Sequence, residues 1–516
     1  MATIVYARAL CTSERGTLAR WCLALWLALS SVCVAHCQQY DARWTGGYAE
    51  GAGPAFGGNK TLFDQSGATF SVAETHFLYQ EAGVATITDA QDSIFAYTNG
   101  WRFNNAAHLP MLNGDGLNPT TAVATDGGAR APYSQLIVPW PAHPDSFLLF
   151  HNVPDAFWPV SNNLYSSKLY YSVIVQGLDG DTLAGISSKN NVLLMEPVLV
   201  GGLGVVKHAN GRDWWLLSHG MMSDEFVLFL LSPSGIDGPF YQAIGDVMEG
   251  SAPGAIFSMQ GDRLAYGQFV SGLDIYDFDR CTGILSNRRN VNFTEQATFR
   301  VGQFSPDGSK IYVPAGIYIY QLQLEPDGDV AAIDTVAFYD GFYDDNPVFA
   351  TYFVYPMLAR DGRIYISTGN TTRYMHVINE PDLAGDACDV VQHGHHRATK
   401  TANSIPYRPN YGLGPVVGSV CDSLDLSTGA FDWPGDAVLR ASPNPTSGAV
   451  LLRWPAQPEV GTLEVMDTRG RALLHRRISQ WTGEHALELK AAPGVYQCRI
   501  VWGARALSTR IIITEP

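Results

Sequence analysis

The chain has 516 residues, more than one ordinary domain, and 46% of them are apolar, which is enough for a large core. Only 16% are charged, while Gly (51), Tyr (24), Phe (23) and Trp (12) are plentiful; this composition favours strands and turns over helices. The formal net charge of −16 would repel a phosphate backbone, so we expect no nucleic-acid binding.

Residues 1–37 have the features of a secretory signal peptide. Arg15 and Arg20 precede the apolar run WCLALWLALSSVCVA, and the mature chain would begin near Gln38. The run is short for a membrane anchor and no second apolar stretch of about 18 residues follows, so we expect no transmembrane segment in the mature chain. The sequence VAHC, which ends at Cys37, is a poor match to a lipoprotein site. We therefore predict export through the periplasm.

The repeated unit of residues 38–430 is a tight turn followed by an apolar strand, as in FSPDGSKIYVPAG and LARDGRIYISTG. The turn residues suit β-turns, and the alternation that follows suits half-buried strands. The unit recurs at the spacing of a four-stranded propeller blade, with turn centres at Asp89, Asp145, Asn210, Asp262, Asp307 and Asp361. We predict an all-β fold with a β-propeller of six or seven blades; a pair of β-sandwiches explains the strands but not the recurrence.

The stretch FSPDGSKIYV also resembles the short motif of WD-like and TolB-type propeller repeats, in which Pro-Asp-Gly forms the turn between two blade strands. The resemblance is good for Ser305–Lys310 and partial for Arg360–Arg363. It concerns the fold and not the chemistry.

Four cysteines lie outside the leader. Cys388 and Cys421 sit in the same irregular segment, so a disulfide between them is the expected pairing in an oxidising compartment. Cys498 alternates with apolar residues in GVYQCRI and is expected to be a buried thiol. No Cys-x-x-Cys or Cys/His spacing indicates zinc.

The pattern changes after a linker at residues 431–438. Residues 438–516 hold ten basic and six acidic side chains, whereas residues 38–437 hold 20 basic and 42 acidic ones. Several short strands separated by turns predict a small, Ig-like β-sandwich at 439–516. A basic tail behind an acidic body indicates a separate unit with a separate role.

The tail carries four ordered blocks: SPNPTSG, LEVMDTRGRAL, APGVYQCRI and a terminal RIIIT. Together they resemble the C-terminal sorting domain of type IX secretion substrates, although Met466 replaces the usual aromatic residue. The matching positions are Pro443, Asn444, Pro445, Gly448, Asp467, Gly470, Pro493, Gly494 and Tyr496. An ordinary sandwich, such as a carbohydrate-binding module, is the alternative.

This resemblance implies export across the outer membrane of a Bacteroidetes-type bacterium by the type IX secretion machinery. In that family the tail is typically removed, and the passenger is released or anchored to surface lipopolysaccharide. The body resembles propeller-like passengers of the same exported proteins in stretches such as VKHANGRDWWLL and SIPYRPNYGLGP. Resemblance to that group implies a fold and a destination, but it implies no catalysed reaction.

Two clusters could bind a metal. His393, His395 and His396 lie within VVQHGHHRATK, and Asp340, Asp344 and Asp345 within YDGFYDDNP. Imidazoles suit transition metals and carboxylates suit calcium. A solvated polar loop is the favoured explanation of each cluster, so we expect no cofactor beyond a possible structural calcium ion.

No nucleophile elbow, phosphate loop or dinucleotide fingerprint occurs in the sequence. Some tryptophans could stack on a sugar or peptide or could equally fill the core: Trp101, Trp140, Trp158, Trp214 and Trp215. We therefore expect a non-enzymatic surface or secreted module that binds an extracellular glycan or protein. The alternatives are a glycosidase-like hydrolase with acidic residues in the axial funnel and a structural part of surface or motility machinery.

Overall fold

The computed structural model describes residues 40–514 apart from the segments 49–54, 64–68, 75–77, 81, 90, 120–127, 160–162, 178–183, 250–253, 269–271, 294–300, 346–347, 402, 404, 423–438, 455–459, 468–470, 479–483 and 503–504. The predicted signal peptide, the linker and Gly470 of the tail motif lie outside the described residues. Within them the chain is all-β with one 3₁₀ turn at Gly385–Cys388, and no helix is long and apolar enough to cross a bilayer.

The described part of residues 43–401 forms seven successive antiparallel sheets, one of three strands followed by six of four. The first sheet consists of β1 (Arg43–Gly47), β2 (Gly58–Phe63) and β3 (Thr69–Glu74), and the second of β4 (Ala85–Thr88), β5 (Ile94–Thr98), β6 (Arg102–Asn105) and β7 (Pro110–Asp115). The chain then forms β8 (Gln135–Pro139) and β9 (Ser146–His151), followed by a separate hairpin of β10 (Ala156–Phe157) and β11 (Leu164–Tyr165). The third sheet consists of β8 and β9 together with β12 (Leu169–Gln176) and β13 (Ala184–Leu194). One parallel bridge between Leu112 and Gly185 joins the second sheet to the third, so the two are continuous.

The other four sheets repeat the same meander without interruption. They are β14 (Gly204–Lys207), β15 (Trp214–His219), β16 (Ser223–Ser232) and β17 (Gly235–Met248); β18 (Ala255–Phe257), β19 (Arg263–Gln268), β20 (Gly272–Asp279) and β21 (Ile284–Val291); β22 (Gln303–Phe304), β23 (Lys310–Ala315), β24 (Tyr318–Leu324) and β25 (Val330–Phe338); and β26 (Pro356–Leu358), β27 (Ile364–Ile366), β28 (Thr372–Ile378) and β29 (Val390–Thr401).

The six turns predicted from the sequence all join the first strand of a sheet to its second. The turn at Asp307 shows how the residues fix its shape: the Ser305 hydroxyl donates to the Asp307 carboxylate at 2.7 Å, and that carboxylate accepts the Ser309 amide at 2.9 Å. Gly308 adopts a φ of 74°, which favours glycine. This prediction from local turn chemistry is confirmed.

The sheets are arranged as a propeller-like ring. The first strands of neighbouring sheets contact one another in the pairs β1 and β4, β4 and β8, β14 and β18, β18 and β22, and β22 and β26. Just before β8 and β14, the Leu203 amide donates to the Tyr133 carbonyl at 3.3 Å. A single hydrophobic cluster runs through all seven sheets, so the first strands surround a common axis.

The two ends of this ring are held together by its outermost strands. β29 contacts β1, β2 and β3. The Asn59 amide donates to the Thr399 and Thr401 hydroxyls at 2.9 and 2.8 Å, and the Lys400 amide donates to the Ala55 carbonyl at 2.9 Å. Residues from the beginning and the end of the body therefore close the ring.

The tail forms two sheets around its own core, with strand order β30-β31-β34 in one and β33-β32-β35-β36 in the other. The strands are β30 (Arg440–Ser442), β31 (Ala449–Arg453), β32 (Gly461–Met466), β33 (Ala472–Ile478), β34 (Glu484–Glu488), β35 (Gly494–Trp502) and β36 (Arg505–Ile513). Cys498 is fully buried in this core as a free thiol, as expected, and burial raises its pKa to about 12.

Asn444, between the two prolines, connects the start of the tail to its last strand. Its side-chain amide donates to the Arg510 carbonyl at 2.7 Å, and its side-chain oxygen accepts the Ile512 amide at 2.8 Å. Gly448 has a φ of 131°, and a Cβ there would lie 2.9 Å from the Leu489 carbonyl oxygen, so this turn requires glycine. Asn444 thus connects the first sheet of the tail to the second.

The body should lose stability on mild acidification because it buries neutral histidines. Burial lowers the pKa values of His151 and His376 to about 3, and those of His219 and His395 to about 4. Between the lowered pKa and about pH 6.5, each of these histidines is protonated in the unfolded chain but not in the folded one. The free energy of unfolding should therefore be highest above pH 6.5 and should fall below it by about 1.4 kcal/mol per pH unit for each histidine.

Urea midpoints measured between pH 7 and 4 check this expectation. In His219→Gln the number of protons taken up on unfolding should fall by about one relative to the wild type. A stability that stays flat from pH 6.5 to 5 would contradict it.

Candidate functional site at the rim of the ring

The axis of the ring is occupied by residues 405–422, which we call the axial segment. The Tyr411 hydroxyl donates to the Ile137 carbonyl of β8 at 2.8 Å, and the Tyr407 hydroxyl accepts the Val205 amide of β14 at 3.3 Å. Beyond them, the Asn410 amide donates to the Met259 carbonyl at 2.7 Å. The segment therefore crosses from sheet to sheet along the inner strands.

Aromatic residues of the body pack against the axial segment and help to fill the axis. Tyr133 is 3% exposed, donates its hydroxyl to the Pro356 carbonyl at 2.7 Å, and packs against the rings of Tyr355 and Tyr407. The cavity left beside the axial segment measures about 10 Å³, room for roughly one water molecule. No acidic side chain lines that cavity among the described residues.

The axial segment is fixed by an ion pair and a disulfide. Arg408 pairs with Asp41, and both side chains are almost fully buried. Cys421, near the end of the segment, forms a disulfide with Cys281 in the turn between β20 and β21. The predicted Cys388–Cys421 pairing is therefore wrong.

The reason for the different pairing is the path of the chain. After β29 the chain leaves the seventh sheet and crosses the axis towards the fifth, where the Arg280 guanidinium donates to the Gly414 carbonyl at 2.6 Å. Cys388 stays behind in the 3₁₀ turn, buried with a free thiol whose pKa is raised by burial. Proximity in the sequence did not indicate proximity in space.

The predicted metal ligands contact separate partners. His393 contacts Asp340 at 2.8 Å, and Arg373 binds Asp344 at 3.3 Å through its guanidinium and also contacts Asp345. The other two histidines point to different neighbours: His395 to the ring of Tyr365 and His396 to that of Tyr374. No group of three or more potential metal ligands is found in the part of the chain that the structure describes. The structural calcium ion stays a prediction.

One buried chain of hydrogen bonds has the connectivity of a nucleophile, a base and an orienting group. The Ser172 hydroxyl lies 3.0 Å from Nε2 of His151, and Asn118 Oδ1 lies 2.7 Å from Nδ1. All three side chains have an exposed fraction of 0%, and burial lowers the pKa of His151 to about 3. A nucleophile must meet its substrate, so this group stabilises the third sheet and is not an active site.

A large recess lies at the rim of the ring, where the outer strands of the third to fifth sheets face the tail. We call it the rim cleft; it has a volume of about 1170 Å³. Val192–Glu196, Gly238–Ile244 and Thr282–Leu285 line one wall, and β30, β31 and β34 of the tail supply the other. Aromatic side chains from both units face it: Trp140, Tyr171, Phe240, Tyr241 and Trp454.

The polar groups of the rim cleft centre on Glu196. Its carboxylate accepts the Tyr241 hydroxyl at 3.0 Å and the Arg453 guanidinium at 2.6 Å. Arg453 also donates to the Met195 carbonyl at 3.2 Å, and the guanidinium of Arg440 lies 5.0 Å from the Tyr241 ring centre. Burial, and to a smaller extent the negative charge of Glu196, raise the pKa of Tyr241. This phenol therefore stays neutral and donates a hydrogen bond to the carboxylate.

Of the tryptophans singled out in the sequence, Trp215 and Trp140 line the rim cleft, and Trp140 is the more exposed of the two. Its indole donates to the Ser232 carbonyl at 3.2 Å, which ties the third sheet to the fourth. Trp214 and Trp215 are almost fully buried in the core, and Trp101 and Trp158 are partly buried elsewhere. Trp214 and Trp215 lie on β15, whereas Trp140 directly follows the end of β8.

Sequence reasoning missed Glu196, Tyr241, Arg440 and Arg453. None belongs to a motif, and they lie far apart in the chain. The available signal was the contrast between an acidic body and a basic tail, which favours contact between the two.

The fold and the rim cleft define an all-β ring joined to a small tail with a core of its own. Residues 441–514 match the family described as secretion system C-terminal sorting domain. The predicted type IX sorting domain is supported by this match, and the tail supports export to the cell surface or the extracellular space. Among curated proteins, no relative matches the chain.

Solved structures resemble the chain only distantly. A putative 6-phosphogluconolactonase from Bacteroides uniformis shares 12% identity at a TM-score of 0.38, covering 69% of this chain and 97% of its own. One from Bacteroides fragilis shares 11% at 0.40, covering 68% and 96%. A protein from Lactobacillus plantarum shares 12% at 0.32, covering 87% and 100%. These scores are too low to carry an argument about activity.

Proposed function

We propose that this protein is an exported seven-bladed β-propeller that acts as a non-enzymatic binding module at the cell surface or outside the cell. Type IX secretion would deliver it through its Ig-like tail. The observation that carries the proposal is the location of open space: aromatic side chains and the axial segment fill the axis, while the rim cleft holds about 1170 Å³. A large recess with both aromatic and polar walls suits a ligand.

The ligand is an extracellular glycan or protein, and the rim cleft supplies aromatic faces for either. The test is an array of surface glycans together with capture from envelope extracts, using the full chain, in which the tail supplies one wall of the cleft. Trp140→Ala should weaken binding at least about fivefold, because a stacked aromatic is worth about 1 kcal/mol beyond its area. Phe157→Ala is the matched control, since Phe157 is 59% exposed and lies outside the cleft. Equal losses in both variants would refute the site.

Export has its own test. Deleting residues 439–516 should leave the body in the periplasm, because the sorting domain is the address. Cell fractionation and surface proteolysis measure where the truncated chain resides. Undiminished surface display of that chain would contradict delivery through the tail.

The alternative function is a hydrolase with its active site at the axis, which would need a pair of carboxyl groups there. Among the described residues, no such pair lines the cavity beside the axial segment. Asp41 contacts the axial segment but is paired with Arg408, and the small cavity beside it has neutral walls apart from Arg408 in the described part of the chain. Glycoside hydrolysis requires two carboxyl groups facing the substrate. The geometry therefore favours binding.

A further inference from the structure

The contacts in the rim cleft point to a guanidinium-binding site on the body. We propose that Glu196, Met195 and Tyr241 form a site for arginine side chains, that the tail occupies it through Arg453 and Arg440, and that tail removal frees it for an arginine-bearing polypeptide. This inference rests on the proposed binding function and names the ligand class and its regulation.

The first half of the site recognises the plane of a guanidinium. Arg453 donates from Nη1 to the Glu196 carboxylate at 2.6 Å and from Nη2 to the Met195 carbonyl at 3.2 Å. The Tyr241 hydroxyl donates to the same Glu196 oxygen at 3.0 Å and so orients the carboxylate. Two acceptors that face two donors of one fork distinguish arginine from lysine, which has a single ammonium group.

The second half is an aromatic face. The Arg440 guanidinium lies 5.0 Å from the Tyr241 ring centre, within the range of a cation–π contact. Arg440 and Arg453 are direct cross-strand partners on β30 and β31, so the tail presents two adjacent guanidinium groups. Tyr241 thus serves both arginines, through its ring and through its hydroxyl.

The charges of the two units support the same occupant. The body carries 20 basic and 42 acidic residues between positions 38 and 437, and the tail carries ten basic and six acidic. An acidic surface attracts basic chains and repels anionic glycans. Between the two macromolecular classes considered, the site therefore favours a polypeptide with arginine.

The ion pair between Arg453 and Glu196, which joins the tail to the body, is accessible to solvent, so the tail is a removable occupant. The Arg453 and Glu196 side chains are 36% and 25% exposed, and a pair this accessible contributes modestly. The tail also keeps its own core, so its removal leaves the body with a preformed site.

The intact chain tests the occupancy. In Arg453→Glu, amide hydrogen exchange at 192–196 and 235–248 should rise about tenfold, because the tail no longer covers these strands. Arg477→Glu is the matched control: Arg477 is exposed on β33, in the other sheet of the tail. The double variant Glu196→Arg with Arg453→Glu should restore protection. Equal exchange in Arg453→Glu and the wild type would overturn the proposal.

The released site is tested with a peptide. A protease site placed within 423–438 lets the full chain be cut after folding, and the peptide AVLLRWP, copied from 449–455, serves as the probe. We expect cutting to strengthen its binding at least tenfold, replacement of its arginine by citrulline to abolish the gain, and Glu196→Gln to do the same. Equal binding of the arginine and citrulline peptides would refute the site.

The outcomes separate this inference from the function on which it rests. If the cut protein binds a glycan through Trp140 but ignores the arginine peptide, the binding function stands and the arginine site fails. If the cut protein binds neither surface components nor the peptide, both fail.

Discussion

Replacing Arg408 by Met is expected to lower the free energy of unfolding of the body by about 3–5 kcal/mol, because it leaves a buried carboxylate without its cation. Asp41 and Arg408 are 4% and 7% exposed at the side chain. Arg408 donates to Oδ2 of Asp41, and Oδ1, the other oxygen of this carboxylate, has no hydrogen-bond partner. The pair also links the residues just before β1 to the axial segment, so its loss should loosen both ends of the body.

Urea unfolding followed by tryptophan fluorescence measures this effect. The double variant Asp41→Asn with Arg408→Met should recover most of the loss, since it removes the charge that was left alone. Arg102→Met is the matched control: Arg102 and Asp115 are 38% and 58% exposed at the side chain, and such a pair contributes about 0–1 kcal/mol. A loss in Arg408→Met no larger than that of the control would contradict the role of the buried pair.

Removing the Cys281–Cys421 disulfide should cost the body about 4–5 kcal/mol. The bridge closes a loop with a sequence separation of 140 residues, and in the chain-entropy account a loop of about that length restricts the unfolded chain by this amount. The double variant Cys281→Ser with Cys421→Ser makes the change, and the same unfolding measurement detects it.

The control for this second variant is Cys498→Ser. Cys498 lies in the core of the tail, so this change should shift the unfolding of the tail and leave that of the body in place. Reducing agent should destabilise the wild-type body as much as the double substitution does, and should have little effect on the double variant. A body whose midpoint is insensitive to both treatments would refute the stabilising role of the bridge.

The success of the turn predictions and the failure of the disulfide prediction have one physical cause. A turn such as the one at Asp307 is fixed by residues within five positions of one another, so a short window contains all the information. The path of the axial segment depends on contacts with inner strands such as those to Ile137 and Val205, which lie more than 200 residues away. Local patterns therefore predicted the strands but not what crosses the axis.

The rim cleft was beyond prediction for a related reason. Glu196 and Arg453 are 257 residues apart, and each has an ordinary neighbourhood in the sequence. The tail motif could be recognised in the sequence because its residues, such as Asn444 and Gly448, make contacts that only one backbone geometry allows. The metal clusters stay predictions, and the structure adds one neighbour that the sequence did not indicate: Arg373, which pairs with Asp344.

The closure of the ring by Asn59 and Thr399 has a consequence for how the protein leaves the cell. These partners are 340 residues apart, so a chain that emerges from a membrane pore amino-terminus first cannot close its ring until nearly the whole body has passed. Every shorter intermediate exposes strand edges able to pair with a neighbouring chain. Folding after each crossing should therefore be all or none, and a chain stalled partway should be a substrate for periplasmic proteases.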